Sequence, residues 1–158
     1  MSKLTPPRPS RSARKRGFAI VASNFNAHYV QGLVDHAKKE LRTLAPNVTV
    51  SVQRVPGAFE IPVVARELAS GDNADAIIAC GVILKGKTDH AQNLSRSVTD
   101  ALQRIAVDHA VPVINAVLSF DDETQARERC LENKINRGTE AARAAVEIAN
   151  VMSELRTK

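Results

Sequence analysis

Apolar residues recur along this chain in blocks whose spacing shifts between continuous, helical and alternating, and each block predicts one element. Residues 17–23 are apolar almost throughout and predict a first strand that leaves through Asn24-Phe25-Asn26. Over residues 28–45, Val30, Leu33, Val34, Ala37, Leu41 and Leu44 fall at helical spacing with Lys38, Lys39 and Arg42 opposite. This is an amphipathic helix, stopped before Pro46. Residues 48–55 alternate valine with Thr49, Ser51 and Gln53, the pattern of an edge strand with one wet face. Pro56-Gly57 ends it, and a second helix is predicted over 58–69. Within the stretch from Asp75 to His90, an apolar run rich in β-branched residues with almost no polar alternation reads as a strand buried on both faces. A third helix follows over 89–109, with Leu94, Val98, Leu102, Ile105 and Ala106 inward. Asp89 and Gln92 have the spacing of a capping box at its start, with Thr88 as a competing cap. A fourth strand is predicted over 111–118, then helices over 121–130 and 138–155. The small residues Ala141, Ala142, Ala145 and Ala149 suit the last helix to close packing against the sheet or another chain.

Strands that alternate with helices at this spacing imply an α/β fold, a four-stranded parallel sheet wound by right-handed crossovers. All strands then point one way. Phe25, the turn Gly57-Ala58-Phe59-Glu60, the loop from Gly81 to His90 and residues 115–119 are therefore expected at one edge, where open α/β sheets bind ligands.

With 158 residues and 44% hydrophobic content, one domain over 17–158 is expected. Residues 1–16 precede it as a basic arm rich in Pro, Ser and Arg, expected to be flexible. Charge sharpens that division: the net +5 contains +6 from the acid-free arm, leaving −1 for the rest. The folded part thus carries no nucleic-acid footprint. No run approaches the roughly 18 apolar residues of a membrane span, residues 18–22 are too short for a secretory core, and the cytoplasm is the expected compartment. Cys80 and Cys130 have neither metal spacing nor a CxxC pattern and read as reduced, buried or half-buried thiols.

The candidate chemistry centres on residues 75–90, where a buried strand delivers a Gly and Lys turn, a helix start and His90 to one point. A helix N-terminus presents unpaired N–H groups and a positive dipole end, which suits phosphate. Lys85 and Lys87 add mobile positive charge beside it. His28, His36 and His109 fall on helix surfaces or ends and make no metal set, whereas His90 beside an anion site is a candidate proton carrier. Aromatic residues are 3% of the chain, yet Phe25 and Phe59 fall in turns at this edge. They are either platforms for a flat heterocycle or caps over the core. Glu60 either favours the helix dipole or accepts hydrogen bonds from a ring. Arg129 and Arg137 flank the polar turn 132–136 and match phosphate geometry, although surface salt bridges are the common fate of such residues. A dinucleotide fingerprint, a P-loop, a nucleophile elbow and an acidic cluster for Mg²⁺ are all missing from the sequence. A site without cofactor or metal is expected.

Six stretches carry a resemblance to a known family: Val21-Ala22-Ser23-Asn24-Phe25-Asn26; Val55-Pro56-Gly57-Ala58-Phe59-Glu60-Ile61-Pro62; Gly81 through Thr88 with His90; Val111-Pro112-Val113 with Leu118-Ser119; Gln125-Ala126 with Arg129; and Asn136-Arg137-Gly138. Together they resemble lumazine synthase (6,7-dimethyl-8-ribityllumazine synthase) over nearly the whole chain after the arm. The resemblance implies a flavodoxin-like three-layer α/β/α sandwich assembled into pentamers, with active sites between adjacent subunits. It implies condensation of 5-amino-6-ribitylaminouracil with 3,4-dihydroxy-2-butanone 4-phosphate, losing phosphate and water without a cofactor, in riboflavin biosynthesis. Riboflavin synthase is the protein partner it suggests. By the resemblance, Phe25 stacks on the pyrimidine, and Ala58, Phe59 and Glu60 hold the ribityl chain and ring edge. Val82, Ile83 and Leu84 line the pocket, Lys87 and Thr88 sit at the phosphate, and His90 shuttles protons. From the neighbouring chain, Asn115 occupies the pocket wall and Arg129 grips the phosphate, with Arg137 a secondary candidate.

Three departures from the family pattern stand out. Ala91-Gln92 replaces an aromatic and an acid, Asn115 replaces a pocket-wall aromatic, and Arg137 replaces a lysine. Ala91, Gln92 and Asn115 motivate the alternative of a flavin- or pterin-binding paralogue, or a shell-forming protein, with reduced or no turnover. The linker from Arg129 to Gly138 lacks the glycine-containing insertion of strictly pentameric members, which favours an icosahedral shell of pentamers.

Overall fold

Alanine, valine and isoleucine fill β1 (Arg16–Ser23) and β3 (Ala76–Leu84), and both strands are buried almost throughout, as their unbroken apolar runs predict. The computed structural model describes residues 3–11 and 15–157. Among the described residues β2 (Val48–Val55) pairs only with β1, its half-buried valines alternating with exposed Thr49, Ser51 and Gln53. β4 (Val113–Phe120) flanks β3, so the sheet is parallel with order β2-β1-β3-β4.

Alternate strand residues face opposite layers. Phe18, Ile20, Ile78 and Cys80 pack with α1 (Ala27–Leu44), α4 (Glu123–Cys130) and α5 (Arg137–Arg156). Val21, Ile77, Ala79 and Ile83 pack with α2 (Ile61–Ala69) and α3 (His90–His109). The result is the expected three-layer α/β/α sandwich. A 3-10 turn over Ala58–Glu60 leads into α2. The alanine face of α5 packs against α1 and the sheet of its own chain. At the α1–α5 crossing, a Cβ on Gly138 would stand 2.2 Å from the Leu33 carbonyl oxygen, so only glycine permits this approach.

Four expectations are corrected. β4 starts and ends two residues later than predicted, since Pro112 has no N–H for the ladder and contributes only its carbonyl, to Ile77 N–H at 2.9 Å. Asn115 therefore sits opposite Ala79 inside the sheet rather than at its carboxyl edge. The capping box of α3 does not form: Asp89 occupies the N-cap position at φ −73° and ψ 1°, and its side chain makes no capping bond. A capping side chain needs extended backbone, as at Asp122 (φ −151°) and Asn136 (φ −101°), whose side chains do cap α4 and α5. Arg16, counted with the arm, is instead the buried first residue of β1, and its Nη2 donates to Asn150 Oδ1 at 3.1 Å.

The arm itself is fastened to α1 and α5. Arg8 donates from Nε and Nη2 to the two carboxylate oxygens of Glu40 at 2.8 and 3.0 Å. Arg143 donates to Glu40 Oε1 at 3.1 Å and to the Pro6 carbonyl at 3.2 Å. For residues 1–2 and 12–14, the expectation of flexibility lies outside the described residues. Cys80 and Cys130 are free and buried, and burial pushes both thiols up to about 12, which leaves them inert as nucleophiles.

Candidate active site

Three turns meet where β1, β2 and β3 end. The chain crosses from β1 to β2 on one side and returns to β3 on the other, so the carboxyl ends of β1 and β3 open a crevice at a reversal of strand order. A cleft of about 450 Å³ lies there. Val82, Ile83 and Leu84 of β3 line it together with Phe25 from the β1–α1 turn and Ala58 and Phe59 from the β2–α2 turn. Thr88 and His90 complete the set from the β3–α3 loop and the first residue of α3.

Hydrogen bonds hold the aromatic turns in place. Asn24 N–H donates to Val55 O at 2.8 Å and Phe25 N–H to Pro56 O at 3.1 Å, which ties the first turn to the second. Phe25 and Phe59 are 74% and 68% exposed, so neither caps the core. Both present a free aromatic surface at the cleft. Glu60 turns back instead: its Oε2 accepts the Gly57 N–H at 2.9 Å, and it does not line the cleft.

The cations distribute unexpectedly. Lys85 pairs with Asp121 at 2.7 Å, and this hydrogen bond and charge hold the Asp121 carboxyl below the usual carboxylate range. Its charge is thus committed locally rather than mobile. Lys87 is exposed and lies outside the lining. Arg129 is half-buried in the last turn of α4 and Arg137 opens α5 in an ion pair with Glu140, both in the layer on the other face of the sheet. Asn115 donates to Thr99 Oγ1 at 3.2 Å and accepts Val117 N–H at 3.0 Å, away from the cleft. Among the described residues, the cleft lining therefore holds no lysine or arginine, and His90 is its one titratable side chain.

Five further residues line the cleft, Asn26, Gly57, Gly86, Ala91 and Leu94, of which the sequence put Gly57 and Gly86 at this edge without giving them a contact. Leu94 follows His90 by four positions and shares its helix face, a signal that helical spacing does carry, whereas Ala91 is its next neighbour along α3. Asn26, Gly57 and Gly86 are turn residues whose spacing alone says nothing of a ligand.

The family model described as 6,7-dimethyl-8-ribityllumazine synthase matches residues 15–153. A 6,7-dimethyl-8-ribityllumazine synthase of a Polaromonas species is 36% identical over 143 residues, 90% of each chain. The protein of the same name from Chlorobium phaeobacteroides is 39% identical over 143 residues, 90% of this chain and 92% of its own. With the same turns, strand ends and histidine gathered at one cleft and matched along nearly its full length, the chain belongs to the 6,7-dimethyl-8-ribityllumazine synthase family.

Proposed function

We propose that this chain condenses 5-amino-6-ribitylaminouracil with 3,4-dihydroxy-2-butanone 4-phosphate to 6,7-dimethyl-8-ribityllumazine, releasing phosphate and water, as a step of riboflavin biosynthesis. Family membership supports the reaction. The observation that carries the site is the meeting of two exposed aromatic rings with a single titratable side chain, His90, at one cleft.

The pyrimidine stacks on Phe25, while Ala58, Phe59 and the Glu60 turn receive the ribityl chain and ring edge. Val82, Ile83 and Leu84 give the ring an apolar wall. The reacting amine adds to the butanone carbonyl, water leaves to form the imine, phosphate is then eliminated, and the ribityl-bearing amine attacks the carbonyl so released, closing the ring with loss of a second water. Each step moves a proton near neutral pH, and His90 is the catalytic residue placed to take and return it. Holding amine and ketone in register supplies much of the remaining acceleration. Thr88, Lys87 and the N–H groups opening α3 receive the phosphate.

Among the described residues, no lysine or arginine lines the cleft to meet that phosphate, which supports a site shared between subunits of a pentamer. In this reading Arg129 of the adjacent copy grips the phosphate, Asn115 of that copy closes the wall, and Arg137 contributes secondarily. The short linker between α4 and α5 favours pentamers closed into an icosahedral shell. Riboflavin synthase, which consumes the product, is the fitting partner, and two free buried thiols suit a cytoplasmic setting.

The test follows product formation with both substrates. His90→Ala slows turnover, about 100-fold or more for the loss of a positioned general acid–base, and Arg129→Ala raises KM for the butanone phosphate. When the two variants are co-assembled, turnover reappears above that of either parent, because some sites then combine an intact His90 with an intact neighbouring Arg129. An unchanged phosphate KM in Arg129→Ala, or no recovery on co-assembly, defeats the shared site.

A further inference from the structure

We infer that Asn26 is a positioning residue that fixes the Phe25 ring against the Val82–Leu84 wall and so sets affinity for the flat-ring substrate. The inference rests on the function proposed above and deepens it. Its origin is a mismatch in strand length. β1 pairs with β3 only from Phe18 opposite Ala76 to Ala22 opposite Cys80, whereas β3 runs on to Leu84. Beyond Cys80 the β1 side of β3 has lost its ladder partner, and carbonyls there are left to whatever the turn provides. Asn26 provides it: its Nδ2 donates to the Val82 carbonyl at 2.8 Å.

The backbone of Asn26 is shaped for this. It sits at φ 56° and ψ 43°, a left-handed conformation that asparagine tolerates and β-branched residues do not. Although it occupies the N-cap position of α1, its side chain makes no capping bond. Its carbonyl accepts from Tyr29 and Val30 N–H at 3.1 and 3.2 Å, so the main chain starts the helix while the side chain reaches across to β3. Phe25, one residue earlier, is 74% exposed, with little packing to locate it. Two anchors do so instead: its own N–H on Pro56 O, and the Asn26 amide on Val82 O. Asn26 and Val82 both line the cleft, so the bond sets the separation of two of its walls.

Two variants separate positioning from folding. Asn26→Gly keeps the left-handed backbone and removes the donor, and Asn26→Asp keeps the shape but sets a carboxylate against the Val82 carbonyl. In Asn26→Gly the KM for 5-amino-6-ribitylaminouracil should rise about five- to tenfold, the scale of one lost hydrogen bond, with a larger rise in Asn26→Asp. The KM for the butanone phosphate and the melting temperature of Asn26→Gly should stay close to the parent values. Calorimetric titration of the ribitylaminouracil alone should show the same loss of affinity without turnover. Equal KM and affinity in parent and both variants overturn the inference, as does a parallel rise in both KM values with a fall in melting temperature. A parent chain that binds the ribitylaminouracil but forms no lumazine overturns the synthase reading instead, and the titration then still decides the role of Asn26.

Discussion

Phe25 and Phe59 are large apolar side chains left in water, and at the scale of single residues that is the feature the cleft depends on. A phenylalanine in the core stabilises by about 3–5 kcal/mol relative to alanine, whereas an exposed one contributes little. Phe25→Ala and Phe59→Ala should therefore move the urea midpoint by the equivalent of less than about 1 kcal/mol. Binding of the ribitylaminouracil should weaken by about tenfold or more in Phe25→Ala, the worth of a stacked ring. A core-sized loss of stability would mean the ring is buried in solution and is no platform. Glu60 shows the limit of residue-level inference. Its position suits a carboxylate that meets a ring as well as one that serves its own turn, and within the chain Oε2 accepts the Gly57 N–H at 2.9 Å.

At the scale of elements, helix starts separate by backbone conformation rather than by residue type. Asp89, Asp122 and Asn136 are all good capping residues, yet only the two with extended backbone cap their helices. Asn136 does most: Oδ1 accepts from Gly138 and Thr139 N–H at 2.9 and 3.2 Å, while Nδ2 donates to Cys130 O and Glu132 O, each at 3.0 Å. One buried amide thus joins the end of α4 to the start of α5. Gly138, two residues on, sits where α5 touches α1. Gly138→Ala should destabilise by about 1–3 kcal/mol, because overpacking against the Leu33 backbone outweighs the gain of about 1 kcal/mol in helix propensity. The urea midpoint checks it, and an unchanged or raised value would show that the helices can part freely. Asn136-Arg137-Gly138, noticed in the sequence as a family string, is thereby explained in two of its three residues by packing and capping alone.

At the scale of the whole molecule, Glu40 couples the arm to the α1 and α5 layer. The Arg8 hydrogen bond, helped by Arg143 and opposed by burial, holds the Glu40 carboxyl below its ordinary value of 4.5. A carboxylate depressed by folding adds stability that is present above its unfolded pKa and is lost as pH falls through the folded one. Glu40→Gln should thus lower the melting temperature by about 2–4 °C near pH 7, the shift that about 1 kcal/mol gives at this size. The difference from the parent should close as the pH drops below 4.5. A gap that persists unchanged at pH 3 would show that the side chain acts through packing rather than charge.

The chain by itself determined the order of elements, their parallel direction and the edge at which the turns gather. Burial periodicity and crossover handedness are local or universal rules, readable in windows of ten to twenty residues. It also marked Phe25, Phe59, Thr88 and His90, since each lies within a few residues of a strand end. Tertiary structure alone decided the partners. That Asn26 meets Val82 across 56 positions and Arg8 meets Glu40 across 32 depends on which of several competent groups the fold brings nearest. The same holds for Lys85, drawn to Asp121, and for Asn115, carried into the sheet by the register of β4. A side chain's chemistry is set by its type, but its employment is set by distance, and distances between remote residues exist only once the core has closed.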